Sequence, residues 1–241
     1  MQPIYLLIVL ISIAIVGLLY SNGALELKDI GTSILALFGT FLGATLAFRL
    51  TETKEKEKIK ATQREALNRA LFVLIRQHNA VIQIKRDFDK YPSLFEKAFN
   101  MPALKPPEYG DLVHYISDLE FLIDSKNPNI LFELTIEQER FHQAIESIRM
   151  RNDFYVREVQ IAIAATSINR KIVTIPDAER ILGERVFGGA MNGAENAYEL
   201  IADSNESIPK LLGELRDLAK QIFPDHKFIN YSIPDEQAPT V

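Results

Sequence analysis

Cysteine and tryptophan are absent from this 241-residue chain, and histidine occurs only four times. Without cysteine there can be no disulfide, no thiolate nucleophile and no thiolate zinc site. A cysteine-free chain also fits a soluble part that stays in the cytosol. Charge is missing from two long stretches: none lies between Met1 and Leu25, and none between Ile30 and Phe48. Neither sign of charge predominates strongly. Of the 27 basic and 32 acidic residues, only Glu26, Lys28 and Asp29 precede Arg49, which leaves the remainder mildly acidic. That balance argues against nucleic acid as a partner, because binding to it is dominated by phosphate neutralisation.

The two uncharged stretches read PIYLLIVLISIAIVGLLY (3–20) and IGTSILALFGTFLGATLAF (30–48). Each approaches the roughly 20 apolar residues that cross a bilayer core. At about 1.5 Å per residue the second covers about 28 Å. The first lacks a positive n-region, and Asn22-Gly23-Ala24 makes a poor cleavage site, so it reads as a retained anchor rather than a signal peptide. Tyr5 and Tyr20 sit where an aromatic belt forms. The connection Ser21 to Asp29 holds turn formers and is short enough to join antiparallel neighbours. A helical hairpin is therefore expected. One lysine and two acids occupy that connection, whereas Arg49, Lys54, Lys56, Lys58, Lys60 and Arg64 follow the second span. The Lys/Arg excess marks the cytoplasmic side, so the expected topology is two-pass, in the inner (plasma) membrane, with both ends cytoplasmic.

Small residues recur at helical spacing in the second span. Gly39, Gly43 and Ala47 form one ridge, and Ala36, Thr40 and Ala44 the next; Gly39 and Gly43 make a literal G-x-x-x-G. Such ridges let helix backbones approach in lipid, within one chain or between copies. Neither span carries an ionisable residue, which excludes an intramembrane proton relay or ion site of the usual kind. Beyond it, Arg49, Lys54, Lys56, Lys58 and Lys60 are placed to meet anionic headgroups, while Glu52–Lys56, Glu55–Lys58 and Glu57–Lys60 are spaced to support a solvated helix.

From Leu50 to Tyr91 there is no glycine or proline, and Leu67, Leu71, Leu74, His78, Val81 and Phe88 recur in steps of three, four and seven. This predicts one helix burying one face, ended by Pro92. Ser93-Leu94-Phe95-Glu96 is a capping-box pattern. Further helices are expected from Asp111 to Asp124, from Asn127-Pro128, from Thr135 towards Asn169 (apolar face Phe141, Ile145, Ile148, Tyr155, Val159, Ala162), from Pro176, from Ala190 to Asp203, and from Ile208 to Phe223 with Ser207 as cap. A helix break is expected at Gly188-Gly189. The runs 171–175 and 227–233 are β-like and form at most one short strand pair.

The fold class that follows is mainly α. A transmembrane hairpin occupies 1–50, a charged stalk helix 51–91 continues into the soluble core, a helical cytosolic domain spans 92–233, and a disordered tail takes 234–241.

Motifs that carry chemistry are few. Glu139 to His142 is an E-x-x-H spacing and Asp111 to His114 a D-x-x-H, but the additional core glutamates of a ferritin-like di-iron site are not identifiable. The 188–193 glycine-rich run lacks the Lys-Ser/Thr of a phosphate cradle. No catalytic, cofactor or metal residue is nominated, and no enzyme is expected.

An uncharged hairpin followed by FLGATLAFRLTETKEKEKIK and a helical domain resembles small bacterial two-transmembrane-helix proteins, including retron-type effectors of phage defence. The resemblance covers Pro3 to about Lys60. It implies a non-enzymatic effector whose cytosolic domain senses a protein partner and whose hairpins self-associate to perturb the inner membrane. The alternative class is a membrane-tethered interaction or assembly subunit without lytic action.

Overall fold

The structure, a computed structural model, describes residue 11, residues 13–15, 17–18 and 21, and then 27–104, 109–166, 168 and 174–230. It is mainly α-helical, and no strand occurs among the described residues. The described residues of the expected first span are helical; Ile11, Ile13, Ile15 and Leu18 are exposed. Most of that span, Tyr5 and Tyr20 included, lies outside the described residues, as do positions 22–26 of the connection, residues 171–173 and 231–233 of the β-like runs, and the tail.

The chain divides into two compact units, 1–61 and 62–241. Helix α1 (Leu27–Asp89) starts two residues before the expected end of the connection and runs uninterrupted for 63 residues. In the first unit its side chains, where described, are almost all exposed, and threonines bond back to the preceding turn, as Thr40 Oγ1 does to the Ala36 carbonyl at 2.8 Å. Ion pairs Glu52–Lys56 (2.6 Å) and Glu57–Lys60 (3.3 Å) stand on its solvated face, where such exposed pairs add little to stability.

In the second unit α1 buries Leu67, Leu71, Leu74, His78, Val81 and Phe88. The unit continues with α2 (Leu94–Phe99), a 3₁₀ helix (Ile116–Asp124), α3 (Ile130–Phe154), one π-helical turn (Tyr155–Val159), α4 (Gln160–Thr166), α5 (Ile175–Leu182) and α6 (Glu184–Ile222). A larger core joins α1, α3 and α6 through residues such as Leu74, Phe141, Ile148, Ile201 and Leu215. A smaller one gathers Phe99, Tyr155, Val159, Ala178, Phe187 and Ala194, with Phe99 stacked on Phe187 at 5.5 Å between ring centres.

Ser93 caps α2 in a full capping box with Glu96. Several other boundaries differ from expectation. Asp111 does not cap the following helix; its carboxylate pairs with Arg76 Nη1 at 2.5 Å, and the helix that ends at Asp124 begins only at Ile116 and is 3₁₀. Asn127-Pro128 lies before α3, whose N-cap is Asn129, and Thr135 falls inside α3. Thr174 caps α5 and Ile175 opens it, so the end of the 171–175 run is helical rather than extended. Residues 227–230 have no regular structure.

The expected break at Gly188-Gly189 is absent, because α6 runs through it. The break falls at Gly183 instead, whose φ of 80° is the left-handed conformation that glycine adopts without strain. Gly189 has a packing role: a Cβ there would stand 2.5 Å from Phe154 Cζ, so its bare backbone admits the Phe154 ring of α3.

Nor does Ser207 open a new helix. Helix α6 carries Pro209 in its interior. Proline has no N–H to donate to the carbonyl four residues earlier, here that of Asn205. His78, 1% exposed on α1, makes a hydrogen bond to the Asn205 backbone that favours the protonated ring, so the imidazole is the donor and a carbonyl the acceptor. The imidazole thus faces the backbone group that Pro209 leaves without an N–H donor.

His78→Leu should therefore destabilise the protein by about 1–3 kcal/mol, the cost of a buried carbonyl left without a donor. In a Pro209→Ala background the cost should shrink, because alanine at that position restores an N–H for the Asn205 carbonyl. Thermal unfolding of the four proteins of this cycle measures the coupling; strictly additive losses would disconnect the two residues.

Candidate membrane interface and buried polar centres

An apolar stretch of α1 dominates the first unit. Within Leu35–Asp89, an 18-residue window of mean hydropathy 1.2 has none of its residues buried. Among the described residues this is one helix long and apolar enough to cross a membrane. Leu35, Phe38, Phe41, Leu42, Leu46 and Phe48 all present their side chains to the outside. All its backbone groups can be satisfied within the helix, which is the condition for entering lipid.

The two ridges of small residues lie on the same stretch. Ala36, Gly39, Thr40, Gly43, Ala44 and Ala47 are exposed. A Cβ built at Gly39 or Gly43 meets no described atom within 4 Å. Arg49, Lys54, Lys56, Lys58 and Lys60 follow on the same helix and are exposed.

The second unit holds three buried polar centres that periodicity alone did not reveal. In the first, Gln138 Nε2 and Gln77 Nε2 both donate to the Leu112 carbonyl at 3.1 Å, and Gln138 Oε1 accepts from the His114 backbone N–H at 3.1 Å. These bonds tie the 112–114 segment to α1 and α3. The residue beside His142 is Gln138, at 2.9 Å, and Glu139 is exposed. With Asp111 engaged by Arg76, the D-x-x-H and E-x-x-H spacings do not converge. Among the described residues no three His, Asp or Glu side chains are grouped to hold a metal ion.

The second centre is Arg151, 4% exposed on α3. Its guanidinium donates to the carbonyls of Lys97 (2.8 Å), Met101 (2.5 Å) and Pro102 (2.9 Å) and lies over the Tyr155 ring. Asn152 adds bonds to both backbone groups of Leu104. A buried charge satisfied by carbonyls at the end of α2 fixes the chain leaving that helix. Desolvation lowers the Arg151 pKa from its usual value, but an arginine stays charged. The third centre is a groove between α3 and α6 with Glu137 at its base.

His114 is the most perturbed histidine. It is 6% exposed, neither ring nitrogen has a partner among the described residues, and burial lowers its pKa to about 4. His78 is also pushed down by burial, against the opposing pull of Asn205.

No protein-family model, curated protein or solved structure matches this chain.

The histidine shifts fix a pH dependence. Both groups bind protons more readily when unfolded, so their contribution is fully present above about pH 6.5 and is lost as pH falls towards the folded values. At about 1.4 kcal/mol per unit, His114 alone withdraws roughly 3 kcal/mol by pH 4. Glu133 and Glu137 are raised by burial and act oppositely, favouring the fold at the acid end of that window. Urea unfolding at pH 7 and pH 5 should show lower stability at pH 5, and His114→Phe should flatten the difference. Equal slopes for the two proteins would contradict this origin.

Proposed function

We propose that this chain is a two-pass integral membrane protein, with spans at 3–20 and 30–48 and with both its N-terminus and its helical domain in the cytoplasm. The observation that carries the reading is the apolar stretch of α1, none of which is buried. The change from uncharged span to lysine-rich helix after Arg49 supports the orientation, and Arg49, Lys54, Lys56, Lys58 and Lys60 are the proposed headgroup contacts.

We further assign the Gly39–Gly43–Ala47 and Ala36–Thr40–Ala44 ridges to helix–helix packing, with copies of the chain associating through the second span. Open space around Gly39 and Gly43 among the described residues supports this assignment. The function so supported is a non-enzymatic effector of antiviral defence: the cytosolic domain binds a partner, and assembled hairpins perturb the inner membrane. Because no charged group lines either span, damage must come from assembly and must depend on concentration.

Overexpression with a membrane-potential dye tests it. The original chain, with its trigger present, should depolarise cells. Gly43→Leu should accumulate and insert with its helical domain folded, yet depolarise far less, because a branched side chain separates the backbones. If the original chain leaves potential and growth unchanged, the protein is a tethered interaction or assembly subunit instead.

A further inference from the structure

The basic residues that follow the second span do not share one face of α1. The helix is continuous from Leu27 to Asp89, so position around it can be counted at about 3.6 residues per turn. Ala36 and Lys54 are 18 residues apart, about five whole turns, and stand in line. Lys58 follows about one turn later on the same side. Both therefore extend the face that carries the ridges of small residues. By the same count Arg49, Lys56 and Lys60 fall on the opposite side. All five are exposed.

The acidic neighbours keep to this division. Glu52 pairs with Lys56 at 2.6 Å and Glu57 with Lys60 at 3.3 Å. Glu57 borders the ridge face, but its carboxylate turns to Lys60 on the far side. Along the ridge face the character therefore changes within two turns. Small uncharged side chains run as far as Ala47, and ammonium groups follow at Lys54 and Lys58.

That change bears on how copies of the chain meet. Copies inserted in one orientation pack their second spans in parallel, and in a two-fold pair each residue approaches its own counterpart. Most membrane helices cross at about 20°, with axes about 8–10 Å apart. Lys54 and Lys58 then stand about one Debye length from the same residues of the neighbouring copy, where charge is only partly screened. Like charges at that separation repel. One face thus carries attraction inside the bilayer and repulsion just outside it.

We propose that Lys54 and Lys58 form a charge brake on assembly through the second span, released when anions neutralise or screen them. The brake rests on the ridge-packing reading given under the proposed function, and it makes assembly depend on lipid charge as well as on concentration. Anionic headgroups and dissolved salt supply the same chemistry, and the test separates them.

Because the chain has no cysteine, an introduced one reports a single contact. The full chain carrying Ala47→Cys, on the ridge face, or Thr45→Cys, on the far side, is reconstituted in vesicles of phosphatidylcholine alone or mixed with phosphatidylglycerol. Oxidative dimer formation is followed at low and high salt. Ala47→Cys should give dimers and Thr45→Cys far fewer. In neutral vesicles at low salt, adding Lys54→Gln and Lys58→Gln should raise the Ala47→Cys yield by about three- to tenfold. Glutamine at Lys56 and Lys60 should leave it unchanged, which separates the face from the net charge. Phosphatidylglycerol raising the parent yield at low salt identifies headgroups as the releasing anion; salt alone raising it identifies screening in water. The brake is overturned, with ridge packing intact, if the Lys54 and Lys58 substitutions leave the yield unchanged, if those at Lys56 and Lys60 raise it equally, or if salt lowers the parent yield. Equal yields from Ala47→Cys and Thr45→Cys overturn the ridge packing itself, and the brake with it.

Discussion

Between Leu35 and Leu50, eight large apolar side chains of α1 stand 45–75% exposed, and no described residue covers them. Returning each to an apolar environment is worth about 1.5–3 kcal/mol, so leaving all of them in water forgoes on the order of 10 kcal/mol. That rivals the whole net stability of an ordinary domain, about 5–15 kcal/mol. Scattered exposed leucines need no explanation, but a continuous apolar stretch of this length does. On the proposed reading a bilayer covers it, and such a covering would constrain the rest: the backbone there would satisfy itself, charge would be excluded, and association would come from close packing of small residues.

The helical domain obeys the opposite rule. Its surface is charged, and several of its buried polar groups bond backbone groups that regular structure leaves without a partner. His78 supplies the bond that Pro209 removes from Asn205. Arg151 and Asn152 receive the carbonyls released where α2 ends. Gln77 and Gln138 do the same for the segment around Leu112. Such engaged groups specify one arrangement of the helices, because removing one partner strands the other. Between α3 and α6, buried Glu137 is held by Arg140 at 3.0 Å.

Periodicity made much of this legible. The stripe from Leu67 to Phe88 is buried, and the Ser93–Glu96 capping box is formed, because both depend on residues close in sequence. Punctuation read from glycine and proline was less faithful. The break expected at Gly188-Gly189 and the helix start expected after Ser207 both give way to one continuous α6. The Phe154 ring fills the space beside Gly189, and the His78 imidazole bonds the Asn205 backbone that Pro209 leaves without a donor. Neither neighbour is close in sequence, so no local pattern announces it. The groove left a trace that local reading passed over: Glu137 occupies a core position of the stripe Leu134, Phe141, Ile145, Ile148. A carboxylate at such a position marks a buried polar centre. Gln77, beside Leu74 and Val81 on α1, is the same signal.

The central claim is that the uncovered surface of α1 lies in lipid. Extraction of isolated membranes with alkaline carbonate measures this directly, since it strips peripheral proteins and leaves integral ones. The full chain should remain in the membrane pellet. A version beginning at Thr62, the start of the second compact unit, should appear in the soluble fraction. Release of the full chain into the carbonate supernatant would contradict the account.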